Sequence, residues 1–396
     1  MAVSAKIKNF MEQGSWIRKM FEEGIALVQE HGADNVFDLS LGNPIMEPPP
    51  EFYRELRRIA ESPTPGMHRY MSNAGYVETR AAVAAQLKGE TGLDFGAGEV
   101  LMTCGAGGAL NVVMKTLLDP GDEVVIFAPY FVEYMFYADN HGATCRVVPP
   151  DDRYYPDLDA LRASIGPRTR IVLTNSPNNP TGVVYSADLL DRMAAVIRER
   201  EAELGTEVFL VSDEPYRRLL FDGAEYPHIF SRHVRSIVAT SHSKDLALPG
   251  ERIGIIAVNP EYEERQELVD GLTFCNRTLG FVNAPALMQH IVRHLQSATV
   301  DVAQYQTKRD FLYGALSDIG YSVVKPQGAF YMFPRSPTED DVAFVAELRT
   351  HRVLVVPGRG FGTPGHFRIA YCVDDRTLEG SLGGFRAAFE RFSGPA

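Results

Sequence analysis

The sequence predicts an α/β fold: a mostly parallel central sheet in a large domain, joined to a smaller α+β domain. Three observations carry that expectation. From about residue 97, apolar runs of strand length alternate with amphipathic stretches of helix length, the succession of parallel α/β architecture. The apolar runs are of the buried type, as strands covered on both faces require. The last third then turns to short strand-like runs set between long helices.

In order, "EVLMTC" reads as a strand, "GGALNVVMKTLL" as a helix, "DPGD" as a turn and "EVVIFA" as the next strand. "RIVLTN", "VFLVSD", "SIVATS" and "IGIIAVN" are further strands, with an amphipathic helix at about 187–203 between the first two. A long helix is expected from about Val300, then "YSVVKPQGAFYMF", a helix at 342–350, "VLVVPG", "FRIAYC" and a last helix. The first residues, with a helix ending near His31 before "NVFDLSLGNP", are expected to join the smaller domain. The expected division is therefore 46–295 for the large domain, and 1–45 with 296–396 for the small one.

Composition narrows the function classes. A chain of 396 residues, 45% hydrophobic and 23% charged, is an ordinary globular protein with length for two or three domains at about 150 residues each. Its formal charge of −12, without a Lys/Arg run, gives a phosphate backbone nothing to bind, so no nucleic-acid partner is expected. Cys104, Cys145, Cys275 and Cys372 form no CxxC pair, which disfavours a disulfide framework or a zinc knuckle. No stretch approaches the roughly 18 apolar residues of a membrane span, and the N-terminus has no secretory apolar core. A cytoplasmic protein without a membrane partner is expected.

In open α/β sheets the ligand lies beyond the carboxyl ends of the strands. Here those ends carry Gly105, the segment 129–131, the segment 175–182, Asp213, and the segment 241–244. "CGAGGAL" leaves a strand and opens a helix, so the amides of Ala106 and Gly107 can meet a phosphate; a plain β-to-α turn explains the glycines as well. A dinucleotide fingerprint fails at Leu110, which disfavours a nicotinamide oxidoreductase. Asp213, closing an apolar strand, calls for a cationic partner, although helix capping or metal ligation are alternatives. No second ligand stands at metal spacing and no HExxH or GxSxG motif is present, so no metal is expected.

Taken together, "NNPTG", "DEPY", "SHSK" and "PGERIG", in this order and spacing, resemble the signature of class I/II aminotransferases. These are pyridoxal 5′-phosphate (PLP) enzymes of the aspartate aminotransferase family, with the PLP-dependent transferase fold type I. The resemblance runs from "LSLGNP" to "FRIAYC". It implies that Lys244 forms the Schiff base with the cofactor and shuttles the proton, and that Asp213 pairs with the pyridine nitrogen. It implies that Asn179 and Tyr216 hydrogen-bond the ring oxygen and that Phe131 stacks on the ring. The phosphate falls to Gly105, Ala106, Gly107, Ser241 and Arg252, and to Tyr70 of a neighbouring subunit, which implies a homodimer with shared sites. Arg368, helped by Gly42, is matched to the substrate α-carboxylate.

The resemblance leaves the substrate more open. Arg277 lies near where one branch of the family places a partner-subunit arginine for a distal carboxylate; an ordinary surface arginine is the alternative. Another branch uses a lysine at the position of Gly107, a departure that weakens a simple aspartate assignment. The expectation is amino transfer from aspartate or another acidic amino acid to a 2-oxo acid such as 2-oxoglutarate. Aromatic or neutral donors, or C–S β-elimination, remain alternatives. Trp16 is expected as a packed helix residue or as pocket lining, and His242 receives no role.

Overall fold

The computed structural model describes residues 3–13 and 16–394. Its strands, in chain order, are β1 (Phe37–Asp38), β2 (Val100–Thr103), β3 (Glu123–Phe127), β4 (Thr144–Val148), β5 (Thr169–Asn175) and β6 (Phe209–Asp213), then β7 (Ser236–Ser241), β8 (Gly254–Val258), β9 (Tyr331–Met332), β10 (Val353–Leu354), β11 (Val356–Pro357) and β12 (Phe367–Ala370). Seven of them form the central sheet in the order β2-β8-β7-β6-β5-β3-β4. Pairing is parallel throughout except around β8, which runs antiparallel to both its neighbours.

The apolar runs are continuous because both faces of this sheet are covered. Val125, Val172, Leu210 and Val238 point into one core, where Met193 and Ile197 of the helix Ala187–Leu204 meet them. Their neighbours Val124, Ile171, Val211 and Ile237 point into the other, against Val113 and Leu272 of the helices Gly105–Leu117 and Arg265–Thr278. Helix boundaries follow local chemistry. Ser186 accepts from Leu189 N at 3.2 Å to start the helix Ala187–Leu204, and Gly205 ends it at φ 63°. Asp374 does the same for the last helix, Asp375–Ser393, accepting from Thr377 N at 2.9 Å.

The remaining strands make an antiparallel sheet, β11-β12-β9, and a parallel pair, β1-β10. The helices Val302–Ile319, Asp341–Thr350 and Asp375–Ser393 pack with them. "YSVVKPQG" is irregular rather than extended, because its backbone serves another loop: Gln327 N and Gly328 N donate to Gly182 O at 2.8 and 3.0 Å. The first residues reach both the small parallel pair and a helix beside the central sheet. Phe37 pairs with Val353, whereas Phe10 in the helix Ala5–Gln13 packs on Phe136 of the helix Glu133–Asn140, ring centres 5.0 Å apart. β4, an edge strand with mostly outward side chains, carries no apolar run by which to expect it.

Among the described residues, no helix is long and apolar enough to cross a membrane. Where β8 crosses β2, a Cβ on Gly254 would lie 2.5 Å from the carbonyl carbon of Gly105, a backbone atom that has no room to yield. Gly254→Ala is therefore expected to lower stability by about 1–3 kcal/mol, read as an earlier denaturation midpoint at unchanged slope.

Candidate active site

The carboxyl ends of β2, β3, β5, β6 and β7, with the amino end of β8, open onto one cavity of about 1430 Å³. Gly42, Ala106, Gly107, Phe131, Asn179 and Asp213 line it, as do Tyr216, Ser241, Lys244, Arg252 and Arg368. Register brings the strand-end residues together: Asn175 lies opposite Asp213, and Ser241 opposite Gly254.

Asp213 is buried at the end of β6. Its Oδ2 accepts the Tyr134 hydroxyl at 2.6 Å and approaches Asn175 Nδ2 at 3.4 Å, while Oδ1 has no partner among the described residues. Burial pushes its pKa up to about 7, against the opposing Tyr134 hydrogen bond. This is a carboxyl prepared for a cation, and none of the described residues provides one.

Lys244 follows β7 and reaches back across the site. Its Nζ donates to Gly42 O at 2.8 Å and lies 5.3 Å from the Phe330 ring centre. Burial lowers its pKa to about 8; the Arg368 and Arg252 charges add to that effect and the Cys372 thiol opposes it. At pH 7 roughly a tenth of the amine is therefore free, the form through which a nucleophilic lysine reacts. Gly42 leaves room for Tyr331 beside this contact, since a Cβ there would lie 1.9 Å from Tyr331 Oη. Tyr331 in turn shares a 3.0 Å hydrogen bond with Tyr216.

On the opposite side the helix Gly105–Leu117 begins with no side chain capping its first turn, so its amides are free for an anion. Gly105 takes φ +71°, and a Cβ there would lie 2.5 Å from Arg252 Nη2. Arg252, itself at φ 52°, donates from Nη1 to Pro249 O at 2.9 Å. Ser241 Oγ donates to Ser243 Oγ at 3.1 Å beside it. Backbone amides, two hydroxyls and a guanidinium thus converge as a tetrahedral anion requires.

Arg368 is the third charged element. It is buried on β12, between the rings of Tyr331 and Phe361 at 4.7 and 4.8 Å. Nη1 donates to Asn179 Oδ1 at 3.1 Å and Nη2 to Ser40 O, leaving Nε without a partner. Among the described residues no carboxylate pairs with it.

Two expected site residues lie elsewhere in the protomer. Tyr70 is 92% exposed and borders a separate cavity of about 230 Å³ with His68, Met71 and Asn283. Arg277 is exposed on the helix Arg265–Thr278, its guanidinium 5.3 Å from the Phe274 ring centre. Neither lines the main cavity. Trp16 does line it, and so does Lys19, whose Nζ lies 4.6 Å from the Trp16 ring centre. Sequence reasoning gives no role to Tyr134 or Tyr331, and places Asn175 only within a strand-end segment. Asn175 was within reach, since aligning the strand ends "IVLTN" and "FLVSD" sets it beside Asp213. Tyr134 and Tyr331 carried no such signal. Among the described residues no group of three His, Cys, Asp or Glu is placed to hold a metal ion.

The family model "Aminotransferase class I and II" matches residues 34–383. A probable aspartate aminotransferase from Methanocaldococcus jannaschii is 30% identical over 98% of this chain and 100% of its own. A probable aspartate/prephenate aminotransferase from Thermus aquaticus is 33% identical over 89% of this chain and 91% of its own. Among solved structures, an amino transferase from Eubacterium rectale superposes with a TM-score of 0.96 at 36% identity, covering 100% of both chains.

Asp213 makes the stability of the apoprotein pH-sensitive. Its folded pKa lies above that of an unfolded aspartate, so the folded apoprotein holds the proton more tightly. The group costs nothing below pH 4; stability falls as pH rises from about 4 to about 7 and levels off above it. From a pKa near 7, the cost at pH 8 is on the order of 4 kcal/mol. Asp213→Asn apoprotein is expected to resist denaturant better than the unsubstituted apoprotein at pH 8 and equally at pH 4; equal resistance at both would refute the burial argument.

Proposed function

The chain belongs to the class I and II aminotransferases, which are PLP-dependent enzymes, and from that premise we propose that it moves the amino group of an L-amino acid, an acidic one such as aspartate favoured, to a 2-oxo acid such as 2-oxoglutarate by a ping-pong mechanism. The observation that carries this reading is Arg368, a buried guanidinium facing the same cavity as the Lys244 amine and lacking any carboxylate partner among the described residues. A buried charge in that state needs an anion, and a planar guanidinium matches a carboxylate.

The residues present fit the cofactor. Asp213 Oδ1 is a buried acceptor left open for a ring N–H, and the glycine at 105 gives the Arg252 guanidinium its room beside the helix amides. When bound, PLP supplies an electron-withdrawing ring that accepts the electron pair left at the substrate Cα. In our assignment Lys244 is its covalent attachment point and, once released, moves the proton from Cα. Asp213 keeps the ring nitrogen protonated, with Tyr134 and Asn175 fixing the carboxylate. Tyr216 and Asn179 hold the ring oxygen, and Phe131 covers one ring face. Gly105, Ala106, Gly107, Ser241 and Arg252 bind the phosphate. Arg368 clamps the substrate α-carboxylate beside Gly42, and its bond to Asn179 ties substrate and cofactor orientation together.

The enzyme in this reading is a cytoplasmic homodimer with shared sites, in which Tyr70 and Arg277 serve the partner's cavity. Its large domain spans 46–295 and its small domain 1–45 with 296–396. Support for acidic donors lies in relatives named aspartate aminotransferase and aspartate/prephenate aminotransferase. A second reading, aromatic or neutral donors, draws on the apolar outer wall of Ile7, Phe10, Leu110 and Phe136.

The test is a panel of amino acids with 2-oxoglutarate as acceptor. Aspartate and other acidic donors are expected to react fastest, and Arg277→Ala to cut kcat/KM for aspartate by about tenfold or more while sparing alanine. Fastest reaction with aromatic or neutral donors overturns the acidic preference. Arg368→Gln is expected to cost roughly 100-fold in kcat/KM with every donor, and undiminished efficiency would refute the clamp.

A further inference from the structure

His242 and Asp245 bracket Ser243 and Lys244 in the turn that follows β7. Both side chains are buried, and His242 Nδ1 meets the Asp245 carboxylate at 3.1 Å to Oδ2. With a carboxylate as its acceptor, Nδ1 carries the hydrogen and donates it. The other ring nitrogen, Nε2, is buried without a partner among the described residues, so this one bond is what fixes the ring.

Each end of the pair is held from outside the turn. His242 N donates to Ile253 O at 3.1 Å, and Leu248 N donates to His242 O at 3.2 Å. Asp245 O accepts from Val300 N at 2.7 Å and from Thr299 Oγ1 at 3.1 Å. Burial alone would raise the Asp245 pKa, but His242, Arg218 and Arg217 outweigh it and hold the carboxyl below its usual range. Arg218 lies 3.9 Å from Asp245 Oδ2 and 3.3 Å from Glu90 Oε1, and it follows Tyr216 by two residues. A chain of charge, buried at His242 and Asp245 and half-buried at Arg218, thus runs from the Tyr216 loop to the turn that carries Lys244. Buried pairs of this kind contribute little net stability over apolar packing, so geometry is their better-founded use.

We infer that His242 is a positioning residue: its bond to Asp245 closes the turn around Lys244 and aims the lysine stem into the cavity. The inference rests on Lys244 as the covalent attachment point for the cofactor. In that attachment Nζ, as the free base, adds to the PLP aldehyde carbon and the aldehyde oxygen leaves as water. A misdirected stem slows this step while the amides of Ala106 and Gly107 and the Arg252 guanidinium, on other elements, keep their hold on the phosphate; of the cradle only the Ser241 and Ser243 hydroxyls lie beside the turn.

The experiment uses purified apoprotein and no amino acid, so it reads separately from the amino-transfer assay. PLP capture is followed by visible absorbance, and the affinity for pyridoxamine 5′-phosphate, which has no aldehyde for Lys244, is the control. His242→Phe keeps an aromatic ring without the donor. It is expected to slow PLP capture about tenfold, the scale of one lost hydrogen bond, with pyridoxamine phosphate affinity within about twofold. His242→Asn, which restores a donor near the Nδ1 position, is expected to recover most of the rate. Capture by His242→Phe at the unsubstituted rate, loss of both ligands in step, or no recovery with His242→Asn would each overturn the inference. If His242→Phe does not fold, Asp245→Ala breaks the same bond from its other end, with Arg218 still paired to Glu90, and is read against the same outcomes.

Discussion

The buried carboxyl of Asp213 is the constraint on which the site depends. A parallel sheet delivers it to the carboxyl edge inside a wall of apolar residues, where an unpaired carboxylate is costly. Tyr134 and Asn175 satisfy one oxygen and leave the other open. The polypeptide thus bears a cost that a cationic ligand at that atom offsets, and the protonated ring nitrogen of PLP is such a ligand. Arg368 poses the same problem with opposite sign at the other end of the cavity. One unfilled negative charge and one unfilled positive charge define a site for a cofactor with a basic ring nitrogen and a substrate with a carboxylate. Lys244 stands on the wall of the same cavity, its amine held near the pKa at which it is both nucleophile and base.

Close backbone approach makes this arrangement possible. Gly42 admits Tyr331, Gly105 admits Arg252, and Gly254 lets β8 pass beside the turn at Gly105. At 182 the chain takes φ +72° against the backbone of Gly328 and Tyr331, which locks the loop carrying Asn179 onto the C-terminal third. That loop is braced from within, since Asn178 Oδ1 accepts from both Thr181 N and Oγ1 at 3.1 and 2.8 Å, and Asn175 Oδ1 accepts from Asn179 N at 2.8 Å. Each glycine therefore exchanges local chain entropy for the placement of one functional group.

Much of this was legible in the sequence, for identifiable reasons. The strands β2, β3 and β5 to β8 announce themselves as continuous apolar runs because both their faces are buried, and their ends place Asp213, Lys244 and Arg252 at one edge. β4 escaped notice because an edge strand with outward side chains carries no such run. Tyr134 and Tyr331 escaped because a buried tyrosine in a helix or short strand reads as core until its hydroxyl partner is known. Asn175 was recoverable from strand alignment alone. Tyr70 and Arg277 lie outside the main cavity of their own protomer, so their roles depend on a second chain. His242 resisted reading because its partner is three residues away across a turn whose shape the sequence does not specify.

The most direct test of the central claim, that Lys244 carries the cofactor, is borohydride reduction of the PLP-loaded protein followed by peptide mass mapping. The account predicts a phosphopyridoxyl group on the peptide containing Lys244 and on no other lysine. Labelling of a different lysine, or no label in protein that has bound PLP, would contradict it.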